Sequence, residues 1–138
     1  ASCAQPARVQ LQTPDRLAVQ TDPQLLFLVL NNLLENACKY AAPDSPIEVR
    51  LAPAPADGGP EALSLEITNR PGPAGWPEAD KVFDKYYRSP HARRQAGTGL
   101  GLFLVRKLMQ TLGGQIDYAP TDSHVRFVLR LPLHAKPA

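Results

Sequence analysis

No apolar run in the 138 residues approaches the ~20 that a membrane-spanning helix needs, and the opening ASCAQPARVQ lacks the hydrophobic stretch of a signal peptide. Cysteine is almost absent. Cys3 and Cys38 form neither a close pair nor a CxxC, so the default expectation is two reduced thiols in a cytosolic domain. Charge of one sign is short as well: the net charge of +2 is too small to argue for nucleic acid. The one local basic cluster, Arg88 with Arg93 and Arg94, has no interleaved aromatics on which bases could stack, so no nucleic-acid partner is expected. A chain of this length makes one ordinary domain and buries enough surface to fold without staples, and residues 1–138 are read as a single domain.

Proline is what the sequence has in excess. The fifteen prolines gather mainly in APAPADGGP (52–60), RPGPAGWP (70–77) and the ends, where they punctuate loops between folded elements. RVQLQ (8–12) and RLAVQ (16–20) alternate apolar and polar residues around TPD and read as a strand pair. Asp22-Pro23 supplies an N-cap and a first-turn proline for one long, largely buried helix through Tyr40. PIEVRLA (46–52) and ALSLEITN (62–69) read as two further strands. A short helix is expected within PEADKVFDKYY (77–87), then a polar loop, a second long helix, and two last strands at 115–119 and 124–131. Several strands around few helices, joined by hairpin-length links, predict an α+β two-layer sandwich, with a mixed and mostly antiparallel sheet, rather than a doubly wound parallel sheet.

Two stretches carry chemistry. GTGLGLFLVRKLMQTLGG (97–114) sets three glycines at alternating positions before an amphipathic helix, an arrangement that suits an anion at a helix N-terminus. In NNLLENACKY (31–40), Asn32, Asn36 and Lys39 or Tyr40 lie three to four residues apart and share one helix face. A solvent edge would explain such a stripe, but asparagine is a poor helix former. Amide oxygens suit magnesium, which is commonly shared with substrate phosphates, and a lysine one turn on offers those phosphates a point charge.

NLLENACKY resembles the N box of the sensor histidine kinase ATP-binding domain, FDKYYRS (83–89) its F box, and GTGLGL (97–102) its second glycine box, in the family's order and spacing. The resemblance runs from about Asp22 to Gly114. It implies the Bergerat-type fold of the GHKL ATPases, with ATP and Mg²⁺ bound. Asn36 would hold the metal, Asn32 would orient its water shell, Lys39 would meet a phosphate and Tyr40 would lie against the nucleotide. Glu35 stands where an acidic residue assists transfer in some members. Gly97, Thr98, Gly99, Leu100, Gly101 and Leu102 would present backbone N–H groups to the phosphates. A lid at about 88–98 would hinge on Phe83 and Tyr86, with one of its arginines, Arg88 by best match, reaching the γ-phosphate.

The first glycine box departs from the family's DxGxG. Asn69, fourteen residues before Phe83, takes the place of the aspartate that binds the adenine amino group, and Pro71 and Pro73 replace both glycines. Exchanging a charged acceptor for a neutral one should cost about 1 kcal/mol, roughly fivefold in affinity. Each proline also fixes φ and removes a backbone donor, while Gly72 and Gly75, out of register with those positions, restore some freedom to the loop. No HExxxP motif occurs, and His91, His124 and His134 fall in the lid, at a strand and in the tail, so the phosphoacceptor is expected on a separate helical dimerisation domain.

The resemblance thus implies a catalytic fragment of a two-component kinase that takes ATP and releases ADP and has a response regulator downstream. The fragment would be monomeric, within a homodimeric protein anchored in the bacterial inner membrane, and would itself be cytoplasmic. A degenerate lobe serving as scaffold or regulatory module, and an anti-sigma-factor serine kinase on the same fold, are the competing readings.

Overall fold

The computed structural model describes residues 9–12, 21–54, 62–73, 75–84 and 101–132. In chain order they form β1 (Val9–Gln12), α1 (Pro23–Tyr40), β2 (Ile47–Ala54), β3 (Ala62–Asn69), α2 (Gly101–Thr111), β4 (Gln115–Tyr118) and β5 (Val125–Pro132). The strands make one sheet in the order β1-β2-β3-β5-β4. Every pairing is antiparallel except β1 with β2, which is parallel. Together with two helices on one face, this is the expected α+β sandwich.

α1 starts where the sequence signals it. The Asp22 carboxylate accepts from the N–H groups of Gln24 and Leu25 at 2.9 and 3.2 Å, and Pro23 enters the first turn, where its missing donor is not needed. α1 buries Val29, Leu33, Ala37 and Tyr40, and α2 buries Leu102, Val105 and Met109. α2 ends on Gly113 at φ 80°, with Gly114 N–H donating to Met109 O, the closure a left-handed residue permits.

Strand alternation sends Ile47 and Val49, Leu65 and Ile67, and Val125, Phe127 and Leu129 inward to meet these helices. The opposite face shows Glu48, Arg50, Glu66 and Arg126, with Arg126 3.6 Å from Glu66. Those four, with Thr68 and His124, border a shallow depression on the side away from both helices.

β1 pairs with β2, distant along the chain, and the expected pairing with residues 16–20 lies outside the described residues. Two expectations change. Residues 79–84 form successive turns and a bend rather than a helix, because their bonds run from residue i+3 to i, as from Lys81 N–H to Glu78 O and from Asp84 N–H to Lys81 O. Cys38 is disulfide-bonded rather than a free thiol, and its partner lies outside the described residues. Spacing along a chain carries no information on which cysteines folding brings together, so the count of two no longer speaks for a reducing compartment.

Candidate functional site

The polar stripe of α1 divides into two kinds of residue. The Asn32 side chain turns back on its own helix, donating from Nδ2 to Leu28 O at 2.7 Å. Its Oδ1 faces the start of α2, where a Cβ added to Gly101 would stand 3.6 Å away. Asn32 therefore sits at the junction of the two helices. Asn36, one turn on, is half-buried and makes no side-chain hydrogen bond among the described residues. Glu35 and Lys39 are half-buried, whereas Tyr40 is buried at 3% exposure. Lys39 lies in the last turn, where a cation is favoured by the helix dipole.

Beyond Tyr40 the chain forms a short antiparallel bridge between Ala41 and Pro71. Gly72 N–H donates to Tyr40 O and Ala42 N–H donates to Arg70 O, each at 2.8 Å. The bridge resolves what the prolines cost. Both bonds belong to neighbours of Pro71, so the donor that Pro71 lacks is one the bridge does not use. Pro73 occupies the second position of a turn closed by Gly75 N–H to Gly72 O at 2.9 Å, a position that favours proline. Gly75 takes φ 75°, which suits glycine. Gly72 is needed for clearance: a Cβ there would lie 2.5 Å from Ala41 O.

β3 delivers Asn69 directly into this junction. Its alternation puts Asn69 in the inward row, paired across the sheet with Ile47 on one side and Val125 on the other, both fully covered. Asn69 itself is 2% exposed. Its Nδ2 donates to Arg70 O at 3.1 Å, and its Oδ1 has no hydrogen-bond partner among the described residues. A buried carbonyl oxygen without a partner is rare in folded proteins.

Phe83 is held by aromatic contacts. Its ring meets Phe127 edge-on at 6.1 Å, Tyr118 lies 5.0 Å from Phe127, and the Arg106 guanidinium sits 5.4 Å over Phe83. Arg106 was not singled out in the sequence, because one arginine in an amphipathic helix gives no sign of which ring it will cover. Gly101 and Leu102 open α2, with Leu102 buried. Tyr86, Arg88, Gly97, Thr98, Gly99 and Leu100, and with them the proposed lid at 88–98, lie outside the described residues. No cluster of three or more His, Cys, Asp or Glu side chains that could hold a metal occurs among the described residues. A magnesium shared with phosphates does not require one.

A two-layer fold thus sets a buried, half-satisfied asparagine at the junction of a long helix and a proline-glycine loop. The chain belongs to the histidine kinase-, DNA gyrase B-, and HSP90-like ATPase family, whose pattern matches residues 21–135. It is 35% identical over 136 residues to the sensor protein IrlS of Burkholderia pseudomallei, covering 96% of this chain and 28% of that protein. To the sensor protein VanS of Enterococcus faecium it is 32% identical over 124 residues, covering 88% of this chain and 31% of that one. The chain thus spans under a third of the length of these relatives. Among solved structures, the mycobacterial sensor histidine kinase MprB superposes with a TM-score of 0.67 at 27% identity, over 94% of this chain and 87% of that chain. This is an ATP-binding domain of the histidine-kinase type. No helix among the described residues is long and apolar enough to cross a membrane.

Proposed function

We propose that the domain binds Mg·ATP between α1, the 69–75 loop and the start of α2, and transfers the γ-phosphoryl group to a histidine on a helical dimerisation domain of the same protein. The observation that carries this reading is the pair of amides with spare hydrogen-bonding capacity among the described residues, Asn36 on α1 and Asn69 on β3, on two elements that the Ala41–Pro71 bridge ties together. In this arrangement Asn69 reads the base and Tyr40 lies against the nucleotide. Asn36 offers its oxygen to magnesium, a fit supported by a half-buried amide with no internal partner among the described residues. The metal neutralises charge on the phosphates when bound.

Lys39 supplies a phosphate contact and Arg88 a second, the glycines at 97, 99 and 101 give backbone donors, and Glu35 assists transfer at the acceptor side. Asn32, committed to Leu28 O and facing Gly101, sets the spacing between the two helices and orients water around the metal. Catalysis is then positioning and electrostatics, with little covalent chemistry asked of the protein. The fragment is a monomer, and the whole protein is a membrane-anchored homodimer that passes its phosphoryl group to a response regulator. The prolines that motivate a degenerate-lobe reading sit where the loop's own bonds use no donor, so they leave the loop intact.

Calorimetric titration with ATP in the presence and absence of Mg²⁺, repeated on Asn36→Ala, tests the proposal. Wild-type binding should require Mg²⁺ and weaken at least tenfold in the variant, while circular dichroism stays unchanged. A folded wild-type chain that takes up no nucleotide would refute it.

A further inference from the structure

The Asn69 amide is enclosed by aliphatic neighbours and only half satisfied. One amide proton goes to Arg70 O at 3.1 Å, while Oδ1 and the second proton have no partner among the described residues. At 2% exposure, water is not a ready substitute. A group in this state calls for a partner that the described residues do not supply.

That partner can be read from the chemistry of the group. A carboxylate, the residue that this chain lacks at 69, only accepts hydrogen bonds. It pairs with the 6-amino group of adenine and offers no donor to the 6-oxo group of hypoxanthine or guanine, where only the neighbouring N1–H is left for it to accept from. An amide carries an acceptor and a donor on the same carbon and can present either. With a 6-aminopurine, Oδ1 accepts. With a 6-oxopurine, the second Nδ2 proton donates, or the amide exchanges its two ends by rotation. That rotation gives up one neutral bond to a neighbouring carbonyl, which limits the penalty to about tenfold in affinity. We propose that Asn69 is a specificity-determining residue that lets this site take 6-oxopurine as well as 6-aminopurine nucleoside triphosphates. The inference rests on the nucleotide-binding reading above and widens its substrate class.

The test is a set of calorimetric titrations of the chain with Mg·ATP and Mg·ITP, and the same pair on Asn69→Asp. ITP is preferred to GTP because it differs from ATP at the 6-position without adding a 2-amino group. In the wild-type chain the two dissociation constants should agree within about tenfold. In Asn69→Asp the ratio should open by at least about tenfold in favour of ATP, since the oxo group then meets only acceptors and the carboxylate keeps no more than the N1–H. If the wild-type chain binds ATP and prefers it to ITP by more than tenfold, the inference is overturned and the nucleotide reading stands. An unchanged ratio in a folded Asn69→Asp also overturns it, because the base is then read elsewhere. If the wild-type chain takes neither nucleotide, both the reading and the inference fall. Should the aspartate variant not fold, the wild-type ratio alone decides.

Discussion

Gly72→Ala is the substitution on which the described geometry bears most directly. The new methyl carbon would stand 2.5 Å from Ala41 O, 2.8 Å from Ala41 C and 2.9 Å from Ala42 Cα. All three are backbone atoms at the end of α1, and none can swing aside as a side chain would. The loop must withdraw, and with it go the bonds from Gly72 N–H to Tyr40 O and from Ala42 N–H to Arg70 O. Two such bonds are worth about 1–3 kcal/mol. At roughly 3 °C per kcal/mol for a chain of this size, the melting temperature should fall by about 3–10 °C. Gly101→Ala is the matched control. Its methyl meets only Asn32 Oδ1 at 3.6 Å, an ordinary contact in a helix. Removing glycine there should raise stability by about 0.5–1 kcal/mol, or roughly 2–3 °C. Thermal unfolding followed by circular dichroism reads both. A Gly72→Ala chain that melts at or above the wild-type temperature would show that the loop does not press on α1, and the clearance argument would be wrong.

Two further outcomes follow from the same geometry. Asp22→Ala removes the acceptor for two first-turn N–H groups and should cost about 1 kcal/mol, measured by urea unfolding, with an unchanged m-value. Glu66→Gln should cost under about 1 kcal/mol, because its 3.6 Å pair with Arg126 is a third exposed on both sides. Arg126→Ala should cost more than Glu66→Gln in the same assay, since its Nε also donates to Ala119 O at 2.8 Å.

Much of the architecture was legible in the sequence because local signals and burial agree there. Asp22-Pro23 and the apolar spacing that follows mark α1, and the alternation of VRFVLRLP marks β5, whose residues from 125 to 131 alternate buried and half-buried. β1 was legible as a strand, but its pairing with β2 was not. Alternation tells which residues face inward and says nothing of which chain-distant edge they meet. Residues 79–84 misled for another reason. Val82 and Phe83 are both drawn toward the core, which a helix and a run of tight turns satisfy equally well, so their apolar spacing did not tell the two apart. At the candidate site, the residue types in NLLENACKY could be read directly, whereas the state of their bonds could not. Asn32 and Asn36 are alike as letters, yet one amide is committed to Leu28 O and the other is not. The prolines at 71 and 73 were counted as lost donors because the sequence does not show which donors the loop uses.

The junction between Tyr40–Ala42 and Arg70–Gly72 is made by main-chain groups, so it is blind to most side-chain chemistry. Provided glycine stays at 72, the residues on either side of it can drift in composition without moving Asn69 relative to the end of α1. A ruler made of backbone thus sets the span between the two ends of the site, and lineages can rewrite the loop while inheriting the span unchanged.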